Sequence, residues 1–310
     1  MARFIVRRTL YALVLLFIAS VAIFYGMRVA PGDVADVMSN PLNSVYSAQN
    51  LRQKLGLDKP LPVQYVTYMG HLLSGNPGSS LVTGKPIMAT LTSAGGYTLK
   101  LALAATLLTY ATAIPLGLLA AWKRNSVLDQ GVMVLAVLGM GLPNFFLAIL
   151  LIQLFAVKLR WLPIAGYETP QTIILPAVCL AAEAIAINLR VVRSSVLEEL
   201  NRDYVRTLEA KGLPEGRILW LHVLRNASPP IIALAGVMLR TLLGYTLIVE
   251  TIFRWPGLGY QLVNAVLQRD YPVAQTLALL LTLAVIVFNL LADLGQQWAD
   301  PRVRHQAGAA

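Results

Sequence analysis

Long apolar runs separated by short charged connections constrain this chain more than anything else in its sequence. Nineteen residues without a charge lie between Arg8 and Arg28, and the runs Leu101–Trp122, Gln130–Val157 and Tyr271–Ala292 are equally free of charge. A helix needs about 20 apolar residues to cross roughly 30 Å of hydrocarbon, so each run is long enough to span a bilayer. Two further runs, Gln171–Val192 and Ala227–Val249, are interrupted by Glu183 and Arg240 but keep enough apolar neighbours to fill a span. The expected fold is all-α: a polytopic membrane protein with six transmembrane helices.

Charge and cysteine content narrow the class. Charged residues make up 13% of the chain and apolar residues 57%, against roughly 25% charged in a soluble domain. The net charge of +10 does not point to nucleic acid, because the basic residues sit in the connections, where they meet lipid headgroups. Cys179, the single cysteine, lies inside an apolar run, so no intrachain disulfide and no Cys/His metal cluster is expected. The basic start, Arg3 to Arg8, imitates a signal peptide. The apolar part that follows is too long, and no small-residue cleavage pattern precedes Arg28, so an uncleaved first span is expected.

Lys and Arg mark the cytoplasmic side of a membrane protein. With the N-terminus inside, the inner segments hold Arg3, Arg7 and Arg8, then Lys123 and Arg124, then Arg190 to Arg225, then Arg302 and Arg304. Both termini are thus expected in the cytoplasm, and the organisation reads as four stretches. Residues 1–30 form the N-terminus and first span, and 31–96 an extracytoplasmic segment. Residues 97–300 form a five-helix core and 301–310 a cytoplasmic tail. Within 31–96, Ser47–Leu57 is expected to form a short amphipathic helix ending at Gly56. Val63–Leu73 has apolar residues at helical spacing before the breaker Gly75-Asn76-Pro77-Gly78. Together they predict a small extracytoplasmic cap.

The connection between spans four and five, residues 195–226, is too long and too patterned for a turn. Val196–Lys211 reads as a helix, Gly212-Leu213-Pro214 as a break, and Glu215–Arg225 as a second short helix. Glycine suits a left-handed C-cap and proline the first turn of the next helix. The expected product is a cytoplasmic helix pair exposing Arg206, Lys211 and Arg217 together with Leu208, Leu213 and Leu219. Physics alone allows two uses for it: an interfacial amphipathic pair resting on headgroups, or a rigid knob that docks on a soluble partner.

Specific residues favour the knob. Asp203-Tyr-Val-Arg-Thr-Leu-Glu-Ala-Lys-Gly212, followed by His222-Val-Leu-Arg-Asn226, resembles the coupling loop of permeases of binding-protein-dependent ABC importers. It is most similar to the first, B-type, permease subunit of the oligopeptide/dipeptide/nickel branch. Of the superfamily's general loop pattern only Gly212 and Leu224 carry over; Arg206-Thr-x-x-Ala-Lys-Gly and His222-x-Leu-Arg-Asn match the branch. Ala30-Pro-Gly-Asp33, Leu55-Gly-Leu-Asp-Lys-Pro-Leu61, Glu250-Thr-Ile-Phe-Arg-Trp-Pro-Gly-Leu-Gly259, Arg269-Asp-Tyr-Pro272 and Asp300-Pro-Arg-Val-Arg304 resemble the branch in the same order.

The resemblance implies a permease in a bacterial or archaeal cytoplasmic membrane, paired with a sister permease subunit. Two cytoplasmic ABC ATPase subunits and an extracytoplasmic substrate-binding protein complete such a machine. The chain carries no Gly-x-x-x-x-Gly-Lys-Ser/Thr phosphate loop. It is therefore expected to be no enzyme and to bind no cofactor, with ATP and Mg held by the ATPase subunits. Peptides are the cargo the branch implies; a nickel chelate or haem is the alternative within the same machine.

The residues expected to meet the ATPases are Arg206, Thr207, Ala210, Lys211, Gly212 and Leu213, with His222 and Arg225 on the second arm. Glu183 and Arg240, ionisable groups at membrane depth, are expected to pair with each other across spans four and five. Glu250, Trp255, Pro256 and Gly257 are candidates for an outer gate or a contact with the binding protein. Pro143 beside Asn144 is expected to kink span three. An ion-driven secondary transporter would need inverted repeats and midplane acids, for which Glu183 alone is poor support. An intramembrane protease lacks its Ser–His or paired-Asp arrangement.

Overall fold

The computed structural model describes residues 2–29, 56 and 58–299. Among the described residues the chain is helical, with one isolated bridge, Ser79 to Pro86. The helices are α1 (Ala2–Val29), α2 (Leu61–Leu73), α3 (Ile87–Trp122), α4 (Val127–Gly141), α5 (Asn144–Leu151), α6 (Ile174–Leu200), α7 (Asp203–Ala210), α8 (Glu215–Arg217), α9 (Leu224–Ile252), α10 (Leu258–Leu267) and α11 (Tyr271–Ala299). Five stretches are long and apolar enough to cross a membrane: Val6–Val29, Ile87–Trp122, Pro170–Leu200, Glu215–Met238 and Tyr271–Leu290. The expected third span is not a straight helix. Val127–Gly141 and Asn144–Lys158 meet at 109°, and six spans result only if this bent pair counts as one.

Pro143 causes the bend. Its ring disfavours helical backbone at the residue before it, and Leu142 is extended at φ −92°, ψ 119°. Helix α5 then restarts on the Pro143 carbonyl, which accepts the N–H groups of Phe146 and Leu147 at 2.9 and 3.0 Å. A π-helical turn, Ile152–Lys158, ends this limb. Helix α3 begins well before the apolar run that announced it, because Ile87–Lys100 continues the same helix through polar residues.

The chain divides into two compact units. One comprises Met1–Thr98 and Pro256–Val287. Its core is Ile87, Ala265, Val273, Ala274 and Leu277. The Arg28 Nε at the end of α1 donates to Gln64 of α2 at 3.1 Å, and its guanidinium stacks 3.5 Å from the Phe24 ring centre. The buried Asp270 carboxylate accepts from the Ser80 hydroxyl and from the Leu81 N–H, closing the loop after α2 onto the start of α11. Helix α2 and the Gly75 break match expectation, with Gly75 and Gly78 both at positive φ. The helix expected over Ser47–Leu57 lies outside the described residues apart from Gly56, as do Ala30–Asp33 and Asp300–Arg304.

The other unit comprises Leu99–Trp255 and Phe288–Ala310, and α6 is its centre. On one side Ala113, Ala136, Ala186 and Leu189 bring α3 and α4 against α6 through small residues. Gly117 is required there: a Cβ would lie 2.7 Å from Val192 Cγ1. On the other side Leu118, Val192 and Val196 join Val205, Ile218, Leu219, Val223, Ala227 and Ile231 in one buried cluster. That cluster seats the segment between α6 and α9.

Candidate coupling surface

Helix α6 runs through to Leu200 and then breaks, so the single helix expected over Val196–Lys211 is two. Asn201 and Arg202 make the break. The Asn201 side chain bonds back to the Leu197 carbonyl at 2.9 Å, and Arg202 turns extended at ψ 148°. Asn competes with the backbone for such bonds and favours helix ends. Helix α7 is the short amphipathic helix left between two breaks.

Its C-terminal stop is a Schellman motif. Gly212, at φ 74°, donates to the Glu209 carbonyl at 2.9 Å, and Leu213 donates to Leu208 at 3.3 Å. Glycine fits because a left-handed residue costs a side-chain-bearing one roughly 1–2 kcal/mol. Pro214 caps the next element rather than occupying its first turn, its carbonyl accepting Arg217 and Ile218. The second arm also differs from expectation. Glu215–Arg217 passes through a π-helical turn, Ile218–Val223, directly into α9, so it is the root of a span and not a separate short helix.

The faces sort cleanly. Leu208 and Leu213 pack half-buried on the central cluster and Leu219 lies within it, so the apolar side expected to meet a partner faces the protein's own core. The polar side is free: Arg206, Thr207, Ala210, Lys211 and Gly212 are exposed, as are Arg217 and Arg225. Leu213 is half-buried and packs on the central cluster at the break. Arg206 pairs loosely with Asp203 at 3.8 Å. Lys211, Arg217 and Arg225 have no ion partner among the described residues. A groove beside α7 is lined by Tyr204, Thr207, Leu208, Leu221, His222, Arg225 and Asn226. It brings the two expected arms together.

The groove has a rigid floor that sequence reasoning missed. The Tyr204 hydroxyl donates to Glu199 at 3.0 Å, and its pKa is raised, first by burial and also by that carboxylate, with Asn226 acting oppositely. Also missed were Trp220 and Leu221, each more than half exposed on the root of α9, and the pair Asp129–Arg193. That pair is bidentate, with Arg193 Nε and Nη2 donating at 2.6 and 2.7 Å to a carboxylate 4% exposed. Ser126 caps α4 by accepting the Asp129 N–H, and Ser-x-x-Asp before an apolar run was the signal that could have revealed it.

The remaining candidates behave differently. Glu183 is half-buried, while the side chain of Arg240 lies outside the described residues, and their expected pairing with it. Asn144 is buried, its carbonyl accepting the Cys179 thiol at 3.2 Å, so it packs α5 on α6. The turn after α9 is not an open surface. Glu250 and Trp255 are 0% and 5% exposed and Gly257 is buried, with Pro256 half-buried. The Trp255 N–H closes the turn on the Glu250 carbonyl at 2.9 Å. Helix α10, unexpected from sequence, follows at once.

Two family models match: the binding-protein-dependent transport system inner membrane component over residues 113–305, and its N-terminal component over residues 1–91. The chain belongs to this family. The permease is 37% identical to the oligopeptide transport system permease protein AppB of Bacillus subtilis, over 98% of this chain and all of that one. It is equally similar, at 37%, to the di/tripeptide transport system permease protein DppB of Pseudomonas aeruginosa, over 99% of this chain and 100% of that one. The same identity holds for the glutathione transport system permease protein GsiC of Salmonella choleraesuis, again over 99% and 100%. Among solved structures, the inward-facing MetNI methionine ABC transporter shares the fold at TM-score 0.58 and 20% identity, over 69% of this chain and 97% of that one. The chain is thus an ABC importer permease, a multi-pass membrane protein with an all-α fold.

Proposed function

We propose that this permease carries short peptides inward and is driven from the cytoplasm through the exposed face of α7. Its partners in this reading are a sister permease, two ATPase subunits that hold ATP and Mg, and an extracytoplasmic binding protein that delivers the cargo. The chain itself binds no cofactor and catalyses nothing. Both termini and the connection carrying α7 lie in the cytoplasm, and the segment after α1 lies outside.

The carrying observation is how the connection is built. The apolar residues of α7 and the break after it, Val205, Leu208 and Leu213, are used internally with Leu219. Arg206, Thr207, Lys211 and Arg225 remain outward, Thr207 and Arg225 in one groove, and Trp220 and Leu221 of the second arm are turned out as well. An interfacial amphipathic pair would do the reverse, turning apolar residues out toward lipid. A short helix held by a core at its back can pass a push to the spans, because packed elements switch between discrete arrangements. The peptide cargo rests on the named cargo of the relatives: oligopeptides, di- and tripeptides and glutathione, itself a peptide.

Affinity purification from native membranes tests the machine. The tagged permease should retain ATPase subunits and a sister permease, and the reconstituted complex should take up a labelled di- or tripeptide only with ATP. Uptake driven by an ion gradient, without co-purifying ATPases, would overturn the reading. Competition by unlabelled peptide but not by nickel chelate or haem tests the cargo separately.

A further inference from the structure

Arg193 leaves α6 one residue after Val192 and three before Val196, two members of the cluster that holds Val205 of α7. Its guanidinium reaches the opposite way, to Asp129 in the first turn of α4. Three bonds hold the carboxylate: Arg193 supplies two, and the Asn125 N–H a third at 2.9 Å. Further along, Ala136 of α4 packs on Ala186 and Leu189 of α6, and Gly139 brings the helices within contact of Ala182 and Ala186. Helix α4 is therefore fastened to α6 along its length and ends at Leu142-Pro143, where the chain bends by 109°. We infer that the Asp129–Arg193 pair is a positioning strut, locking α4, the end of α6 and α7 into one moving piece that levers the Leu142-Pro143 break.

Geometry explains why this pair suits the task. A bidentate Arg–carboxylate bond fixes direction as well as distance, which a lysine point charge cannot do. Small-residue packing alone lets helices slide, whereas the fork at the start of α4 stops rotation of α4 about α6. The strut rests on the proposal that α7 receives the push from ATPase subunits.

The test uses the complete reconstituted transporter with Asp129→Asn and Arg193→Lys. Both variants should raise the ATP hydrolysed per peptide imported by about tenfold, the scale of mutations along a coupling network. A staple that served folding alone would lower permease abundance and leave this ratio unchanged, and an unchanged ratio in Arg193→Lys overturns the inference even if Asp129→Asn fails to fold. Spin labels at the exposed Val127 and Glu209 give a second measure. Their separation should be the same with and without ATP in the wild-type complex and should broaden in Arg193→Lys; a wild-type separation that changes with ATP overturns the strut. If the wild-type complex shows no ATP-driven uptake at all, the functional reading beneath it fails instead.

Discussion

Two segments of this permease carry equally distinctive sequence, yet the structure treats them oppositely. The stretch around Gly212 turns its charged residues outward and Leu208, Leu213 and Leu219 inward, whereas the turn after α9 buries Glu250, Trp255 and Gly257. The first has the anatomy of a contact: a packed scaffold with exposed cations at its surface. The second has the anatomy of a core: a large aromatic and a charged group withdrawn from solvent, closed by a backbone bond from Trp255 to Glu250. A family pattern therefore marks that a segment matters without saying whether it matters to a partner or to the protein's own packing. Burial makes that distinction.

The comparison predicts its largest effect at the buried turn. Trp255→Ala should cost about 3–5 kcal/mol, the usual range for truncating a buried aromatic, and appear as a lower melting temperature and less permease in the membrane. If Trp255→Ala is as stable as wild type but loses contact with a binding protein, the turn is a surface after all, and the contrast collapses.

Much of the architecture was legible because the bilayer leaves helices few alternatives: every backbone group must be satisfied within the segment. The ends of the expected second and sixth spans, at Trp122 and Tyr271, coincide with helix ends in the structure. Apolar content cannot see where a helix continues through polar residues, so Ile87–Lys100 was missed. The Leu142-Pro143 bend was expected only as a kink, because proline announces a break but not its angle. In the coupling segment, Gly212 was readable from chemistry, since few other residues tolerate its conformation. The inward use of Leu208, Leu213 and Leu219 was not, because helical spacing identifies an apolar face without naming what covers it. The Asp129–Arg193 pair joins residues 64 apart in the chain, and one sequence contains no signal for that distance except the Ser126 cap.

A smaller effect on stability, but a larger one on coupling, is expected at Gly212. Gly212→Val should cost about 1–2 kcal/mol, because a β-branched residue is strained at positive φ, although an added Cβ meets nothing within 4 Å. The permease should stay in the membrane while transport falls and ATP hydrolysis becomes less responsive to substrate-loaded binding protein. Gly212→Asn should keep most transport, since Asn tolerates the left-handed region better. Equal loss in Asn and Val variants would trace the defect to the missing glycine surface rather than to the Schellman turn.

The smallest structural effect, and the sharpest separation of contact from core, should come from Arg206. Its side chain is 80% exposed and its pairing with Asp203 at 3.8 Å is loose, so Arg206→Ala should leave abundance and melting temperature unchanged. Its charge nonetheless stands on the outward face of α7, exposed like Lys211. An exposed charge acts over roughly a Debye length, about 8 Å at physiological salt, so its contribution to docking should weaken as salt rises. Retention of the ATPase subunits by the wild-type permease should fall between low and high salt, and Arg206→Ala should start lower and fall less. Parallel salt curves for the two proteins would remove Arg206 from the contact. A drop in melting temperature would place it, like Trp255, among residues that serve the fold.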